Sequence, residues 1–205
     1  DEAAPGVSGA SSILDFEKAS EIVDRGGPYA VALCYCRHKK RLIGEPCGKP
    51  EEICLSFGGG ASYFIRNNIA RQAEKAEILD LLEIARENGL VQVADNCMNE
   101  VGFICNCCGC CCGMLRTIND HGLTYAVHTS NFIAEANESC TGCGLCEKRC
   151  PVNAIEMIED APVPAVEDLT PSNTDVAAPR KTKKYAVVDE SICLGCGVCT
   201  RACKK

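Results

Sequence analysis

The stretch "CTGCGLCEKRC", residues 140–150, carries four cysteines at the spacing C-x2-C-x2-C-x3-C. The same spacing returns 53 residues later in "CLGCGVCTRAC", residues 193–203, with glycines at the same two places. Three thiolates on one tight loop can bind three irons of a cubic cluster, and the glycines let the backbone turn closely around it. The fourth cysteine of each copy begins the next element and reaches the other cluster. We therefore expect two interlocked [4Fe–4S] clusters.

Each predicted ligand set takes three cysteines from one copy of the motif and the last cysteine from the other copy. The first set is Cys140, Cys143, Cys146 and Cys203, and the second is Cys193, Cys196, Cys199 and Cys150. Zinc also binds CxxC pairs, but two complete copies with interlocking spacing argue against zinc at these positions.

Residues 132–203 resemble the bacterial two-cluster ferredoxins. "CPVNAIEMIE" is similar to the Cys-Pro, short helix and strand of that family, and "KYAVVDESIC" to its second strand. The resemblance implies a small pseudo-symmetric α+β unit that transfers one electron at a time. The chain departs from the family in the 42 residues between Cys150 and Cys193, and in Lys204, where a second proline is expected. We interpret residues 159–184 as an inserted loop, with a strap along a partner subunit as the alternative.

The cysteine content restricts the class of protein. The chain has 205 residues and 19 cysteines, an odd number that falls in CxxC runs without a signal peptide. These features argue against a secreted disulfide protein and favour metal ligands in the reducing cytoplasm. The net charge of −7 argues against nucleic acid as a partner, and no apolar segment is long enough for a membrane span. Because the chain begins at Asp1, we expect a piece of a longer protein.

The overall fold class expected is α+β, in two domains. Residues 1–130 form a small cysteine-rich α/β domain, and residues 131–205 form the two-cluster ferredoxin-like domain. In the first domain we expect a helix in "SILDFEKASEIVDRGG" capped at Ser12, a strand in "YAVALCYC", a loop over residues 36–54 and a helix over residues 68–88. "LVQVAD" and "LTYAVHTSNF" are predicted strands. Helix, strand and cysteine loop thus occur twice, so both loops should emerge on one side and could share a site.

Eleven cysteines lie upstream of the repeated motif. The first loop offers Cys34, Cys36, Cys47 and Cys54 for a third cluster. For a fourth cluster, the second loop offers Cys97, Cys105, Cys108 and Cys111, with Cys107 and Cys110 as a competing CxxC register. Six of the residues 105–112 are cysteine, too many to aim at one point, so some should be buried as small apolar side chains. Three alternatives stay open: two further [4Fe–4S] clusters, one cluster shared by both loops, or a zinc site, unusual cluster or redox thiol centre.

This upstream half resembles the N-terminal part of larger iron–sulfur proteins of strict anaerobes. In those proteins a Cys-x-Cys-Arg segment and a Cys-Asn-Cys-Cys-rich segment precede a two-cluster ferredoxin module. The matching stretches here are "CYCRHKKRLIGEPCGKPEEIC" and "ICNCCGCCCGML". The resemblance implies cluster binding in an anaerobic redox complex.

Three weaker features have a plain and a functional interpretation. The basic run at residues 37–41 is either a solvated face or a set of charges that offsets a nearby anionic cluster or docks an acidic partner. "FGGGAS", residues 57–62, lacks the Gly-Lys-Ser/Thr of a Walker loop and is interpreted as a loop, with a flavin or nucleotide phosphate site as the alternative. His38, His121 and His128 are not expected to be ligands, because so many cysteines are available.

We expect a cytoplasmic iron–sulfur electron-transfer protein without catalysis of its own. It would relay single electrons as a subunit or domain of an anaerobic oxidoreductase complex, with redox proteins rather than small molecules as partners. One alternative is a catalytic or electron-confurcating oxidoreductase subunit whose active centre is the cysteine-dense domain, and a bound flavin stays open. A further alternative is a redox- or oxygen-sensing protein, against which the lack of a DNA-binding signature counts.

Overall fold

The computed structural model describes residues 11–95, 101–159 and 184–204. Its first part is built on a seven-stranded sheet with the order β4-β2-β3-β6-β5-β1-β7. The strands are β1 (Ser11–Ile13), β2 (Tyr29–Leu33), β3 (Glu52–Phe57), β4 (Arg71–Ala73), β5 (Val91–Ala94), β6 (Phe103–Cys107) and β7 (Val127–His128). Neighbouring strands are antiparallel except for β1 and β7, which are parallel.

Five helices and one 3-10 turn connect these strands. They are α1 (Phe16–Asp24), α2 (Tyr35–Leu42), α3 (Gly58–Arg66), α4 (Lys75–Glu87), α5 (Gly113–His121) and a 3-10 helix (Thr124–Ala126). α4 buries Ile78, Leu82 and Ala85, which share one face at helical spacing, and it packs on β2, β3 and β5. α5 ends at Gly122, whose φ of 68° is the left-handed conformation that commonly ends a helix.

The C-terminal part contains α6 (Leu145–Arg149), β8 (Ile155–Ile158), β9 (Tyr185–Val188) and α7 (Val198–Ala202). β8 and β9 form an antiparallel two-stranded sheet, and α6 packs against α7. Each of the two helices follows a glycine in the left-handed conformation, Gly144 or Gly197. The structure is therefore a mixed α/β sheet domain joined to a smaller unit of two short helices and a two-stranded sheet.

The two parts share one hydrophobic core. Val91, Val93 and Leu115 of the sheet domain pack in the same buried cluster as Leu194 and Val198 of the C-terminal part. A hydrogen bond also joins the two parts, since the Ser130 hydroxyl donates to the Gly195 carbonyl at 2.7 Å. This packing brings the upstream cysteine turn against the C-terminal cysteine loops.

Several predicted elements differ from the observed ones at their ends. Ser12 belongs to β1, and α1 is instead capped by Asp15, whose carboxylate accepts a hydrogen bond from the Lys18 backbone at 2.8 Å. The segment predicted as one helix over residues 68–88 divides into β4 and α4, because Arg71 pairs with Val31 in the sheet. "LTYAVHTSNF" forms the 3-10 helix and the two-residue β7 rather than a longer strand.

Two segments predicted as loops contain regular structure. The loop expected over residues 36–54 contains most of α2 and the start of β3. "FGGGAS" is not a loop, since Gly58–Arg66 is helical. A Cβ on Gly60 would lie 3.1 Å from the Gly102 carbonyl oxygen, so the small residue allows α3 to pack closely on that backbone. Cys97 and residues 160–183 of the expected insertion lie outside the described residues.

None of the helices in the described ranges has the length and the apolar run that crossing a membrane requires.

Candidate metal centres

The eight C-terminal cysteines line two adjoining cavities. Both cavities are large enough to hold a small inorganic cluster, with volumes of about 470 Å³ and about 350 Å³. The larger one is lined by Cys140, Cys143, Cys146 and Cys203, and the smaller one by Cys150, Cys193, Cys196 and Cys199. Cys199 also lines the larger cavity, so the two sites are neighbours. Each cavity thus combines three cysteines of one motif with the last cysteine of the other.

Backbone amides point at the sulfurs of these loops. The Leu145 N–H donates to Cys143, and the Val198 N–H donates to Cys196 at the equivalent place in the second motif. The Ala154 N–H donates to Cys150 Sγ at 3.2 Å. The Leu145 hydrogen bond lowers the pKa of the Cys143 thiol, whereas burial raises that of Cys196 to about 12. N–H···S bonds of this kind stabilise thiolates that bind iron–sulfur clusters, so the residues present fit [4Fe–4S] groups.

Glycine is required at one position in each loop. A Cβ on Gly142 would lie 2.4 Å from the Lys184 carbonyl oxygen, and one on Gly195 would lie 2.2 Å from the Phe132 carbonyl oxygen. Both glycines also have positive φ, of 67° and 66°. The loops can therefore fold tightly against neighbouring backbone only because no side chain is present.

The two cavities differ in their exposure to solvent. Cys143 and Cys203 of the first set are exposed, whereas all four cysteines of the second set are only partly accessible. The first site therefore faces the surface, and the second lies towards the sheet domain.

Four upstream thiols form a compact tetrad, which we define as Cys47, Cys108, Cys110 and Cys111. Their Sγ atoms all lie within 4.8 Å of one another. Cys47 comes from the segment between α2 and β3, and the other three come from the turn between β6 and α5. Cysteines of both upstream loops thus lie close together at these four residues, as a shared site would require.

The remaining described upstream cysteines form a wider group of interacting thiols: Cys34, Cys36, Cys54, Cys105, Cys107 and Cys112. Hydrogen bonds from Cys107 and Cys54 lower the pKa of Cys105 to about 4. Hydrogen bonds from Cys107 and Cys36 lower the pKa of Cys112 to about 3. Hydrogen bonds within the group and burial raise the pKa of Cys34, Cys54 and Cys107. Cys105 and Cys112 are therefore the members of the wider group that favour the thiolate, the form of cysteine that binds metal.

A buried arginine lies between the tetrad and the wider group. Arg37 is 2% exposed, and its Nη1 donates to the Asn106 carbonyl at 2.9 Å and to Cys108 Sγ at 3.8 Å. Burial opposes its charge, but the Cys34 and Cys108 thiols raise the pKa of its guanidinium. Among the described residues its Nε and Nη2 have no hydrogen-bond partner. A buried cation needs negative charge nearby, and within the described residues the groups that raise the pKa of Arg37 are the cysteines Cys34, Cys47 and Cys108.

The structure divides the upstream cysteines differently from the predicted sets. Of the predicted third set, Cys34, Cys36 and Cys54 lie together in the wider group, whereas Cys47 lies with the β6–α5 turn. For the predicted fourth set, Cys108 and Cys111 come together, but Cys105 lies in the wider group and Cys97 is outside the described residues.

The geometry of a strand explains why Cys105 lies apart from Cys108 and Cys111. Cys105 and Cys107 lie on β6, where alternate residues share a face, so they are directed to one side together. The turn begins only after Cys107, and Cys110 of the competing register therefore joins the tetrad while Cys107 does not. Residues three apart on a strand point to opposite faces, so a three-residue spacing does not group side chains there.

One side chain joins the upstream turn to the C-terminal motif. Asn119 of α5 donates to the Pro151 carbonyl at 3.0 Å and to the Gly109 carbonyl at 3.4 Å. A Cβ on Gly109 would lie 2.1 Å from the Pro151 oxygen, so the two backbones are in direct contact. Gly109 separates Cys108 from Cys110, and Pro151 follows Cys150. Neither Asn119 nor Gly109 was identified from the sequence, because their contact depends on tertiary packing.

Comparison with known proteins identifies the C-terminal part. Residues 139–205 match the family described as the 4Fe-4S dicluster domain. This match supports a ferredoxin-type module that binds iron–sulfur clusters and transfers electrons. No curated protein and no solved structure matches the chain.

Proposed function

We propose that this protein relays single electrons through two interlocked [4Fe–4S] clusters of a pseudo-symmetric C-terminal module. The observation that carries the proposal is the pair of adjoining cavities, each lined by one of the two predicted sets of four cysteines, with Cys199 lining both. When bound, such a cluster accepts and releases one electron without making or breaking a substrate bond. The C-terminal set with Cys140 is the first site, and the set with Cys150 is the second.

The chain's own residues tune these sites in two ways. The thiolates hold the irons, and the amides of Leu145, Ala154 and Val198 donate hydrogen bonds that stabilise negative charge on the sulfurs. Each such bond favours the reduced state, which carries one more electron. Burial of the second set opposes that charge, so the two sites should differ in reduction potential.

The difference in exposure between the two sets of cysteines predicts where a partner exchanges electrons with the relay. A redox-protein partner would exchange electrons at the exposed first site, and the second site would pass them on towards the sheet domain. The contact between Pro151 and Gly109 continues this route from the Cys150 backbone to the upstream thiols. We propose that four thiols of the wider group hold a third [4Fe–4S] cluster there, and that the chain works within an anaerobic redox complex in the cytoplasm.

One observation favours a second candidate function, catalysis at the upstream thiols. A cavity of about 410 Å³ adjoins Cys36 and Cys111 and is also lined by Lys39 and Arg116. Such a cavity has the size of a small-molecule site, and Lys39 would suit an anionic substrate, whereas Arg116 is paired with Asp120 of the same lining. This candidate would make the protein an oxidoreductase subunit fed by the relay.

Anaerobic potentiometric titration followed by electron paramagnetic resonance tests the relay. We expect the full chain to take up electrons in reversible one-electron steps with potentials between about −700 and +450 mV. We expect spin coupling between the two C-terminal centres when both are reduced, because Cys199 lines both cavities. A two-electron step, or signals that shift when small anions are added, would contradict the relay and favour catalysis.

A further inference from the structure

The tetrad has the spacing of a site for one metal ion. Four sulfurs about 2.3 Å from a central ion, at the corners of a tetrahedron, are about 3.8 Å apart. The Sγ atoms of the tetrad lie within 4.8 Å of one another, and those of Cys110 and Cys111 are 3.7 Å apart. A cubic cluster binds each thiolate to a different iron, which needs sulfurs farther apart. The tetrad therefore matches a mononuclear centre rather than a cube.

The buried arginine is independent evidence for negative charge at this place. Binding of one divalent ion releases the four thiol protons and leaves the four-thiolate centre with a charge of −2. Arg37 donates to Cys108 Sγ at 3.8 Å and, within the described residues, has two nitrogens without a hydrogen-bond partner. A guanidinium that is 2% exposed is stable only beside a compensating anion. The thiolate centre supplies that anion, and Arg37 offsets half of its charge.

We propose that Cys47, Cys108, Cys110 and Cys111 bind a single tetrahedral divalent ion, Zn²⁺ or Fe²⁺, without inorganic sulfide. Four protein sulfurs close the coordination sphere, as is typical of structural metal sites. The ion would fasten the α2–β3 segment to the β6–α5 turn, two parts of the chain that are distant in sequence.

The position of the site gives it a role in docking. Gly109 lies inside the chelating turn and contacts Pro151, which follows a ligand of the second C-terminal cluster. Asn119 donates hydrogen bonds to both backbones. A fixed turn therefore holds the surface on which the ferredoxin-type module packs, so the ion stabilises the junction between the two parts.

Native mass spectrometry of the full chain, purified without oxygen, tests the site. We expect one zinc or iron beyond the irons that are accompanied by sulfide. Cys47→Ala should lose that ion and no sulfide, whereas the control variant Cys34→Ala, which leaves the tetrad intact, should keep it. Loss of four irons and four sulfides together in Cys47→Ala would overturn the mononuclear site while leaving the electron relay intact.

A measurement on the unaltered protein covers the case in which Cys47→Ala does not fold. X-ray absorption at the zinc edge, on protein grown with zinc, should give four sulfur neighbours at about 2.3 Å. If zinc is absent, the extra ion must appear as sulfide-free iron in the native mass. Equal numbers of iron and sulfide with no zinc would overturn the proposal.

Discussion

The double variant Cys140→Ala/Cys203→Ala should retain one intact four-iron cluster in the C-terminal module, whereas Cys140→Ala/Cys150→Ala should retain none. The reason is that Cys140 and Cys203 line the same cavity, while Cys150 lines the other. The first variant removes two ligands from one site, and the second removes one ligand from each. Each intact cluster contributes about four irons, so the difference is large.

The measurement is spin quantitation of the reduced protein together with iron content, each compared with the unaltered chain. The upstream cysteines are the same in both variants, so their contribution cancels. If each motif instead bound its own cluster, the outcome would reverse, and Cys140→Ala/Cys150→Ala would keep the cluster of residues 193–203. That reversal would contradict the interlocked arrangement.

Gly195→Ala should strongly destabilise the loop that holds the second cluster, whereas Gly197→Ala should destabilise it far less. Both residues have positive φ, 66° and 71°, so alanine costs about 1–2 kcal/mol of backbone strain at either position. Only at Gly195 would the new Cβ collide with other atoms, at 2.2 Å from both the Phe132 carbonyl oxygen and the Ser130 hydroxyl. At Gly197 the nearest atom, Thr200 Oγ1, is 3.9 Å away.

The collision should add about 1–3 kcal/mol or more to the strain at Gly195, because neighbouring backbone cannot yield as a side chain can. The loop would then move and displace Cys193 and Cys196. We expect Gly195→Ala to lose cluster absorbance at a much lower guanidinium concentration than Gly197→Ala, when both are unfolded anaerobically. Equal midpoints for the two variants would show that the close packing of Gly195 is not required.

The cysteines that share each C-terminal cavity could be predicted from the sequence largely because short-range spacing groups them. Three cysteines within seven residues must lie on one loop, and the glycines at residues 142 and 195 permit the tight turn. The grouping with the last cysteine of the other motif was expected because that cysteine begins the next element and can reach the other site. The two strands of the β8–β9 pair were expected from the resemblance to the two-cluster ferredoxins.

The division of the upstream cysteines between the tetrad and the wider group could not be predicted from the sequence. It depends on the positions of helices and strands that the local sequence pattern does not reveal. α2 is rich in charged residues, and its buried residue, Arg37, would be assigned to the solvent from its charge alone. α3 begins with three glycines, which favour a loop unless tertiary packing outweighs their low helix propensity. The alternation of β6 separates Cys105 and Cys107 from the turn that follows. One residue of the basic run, Arg37, nevertheless lies against the cysteines, since it donates to Cys108 Sγ at 3.8 Å.

The most direct test is the number of irons, zincs and acid-labile sulfides per chain in protein purified without oxygen. We predict about twelve sulfides with twelve irons, from the two C-terminal clusters and the wider group, together with one zinc or iron that has no sulfide. Fewer than about eight sulfides, or zinc in place of iron at the C-terminal motifs, would contradict the electron relay itself.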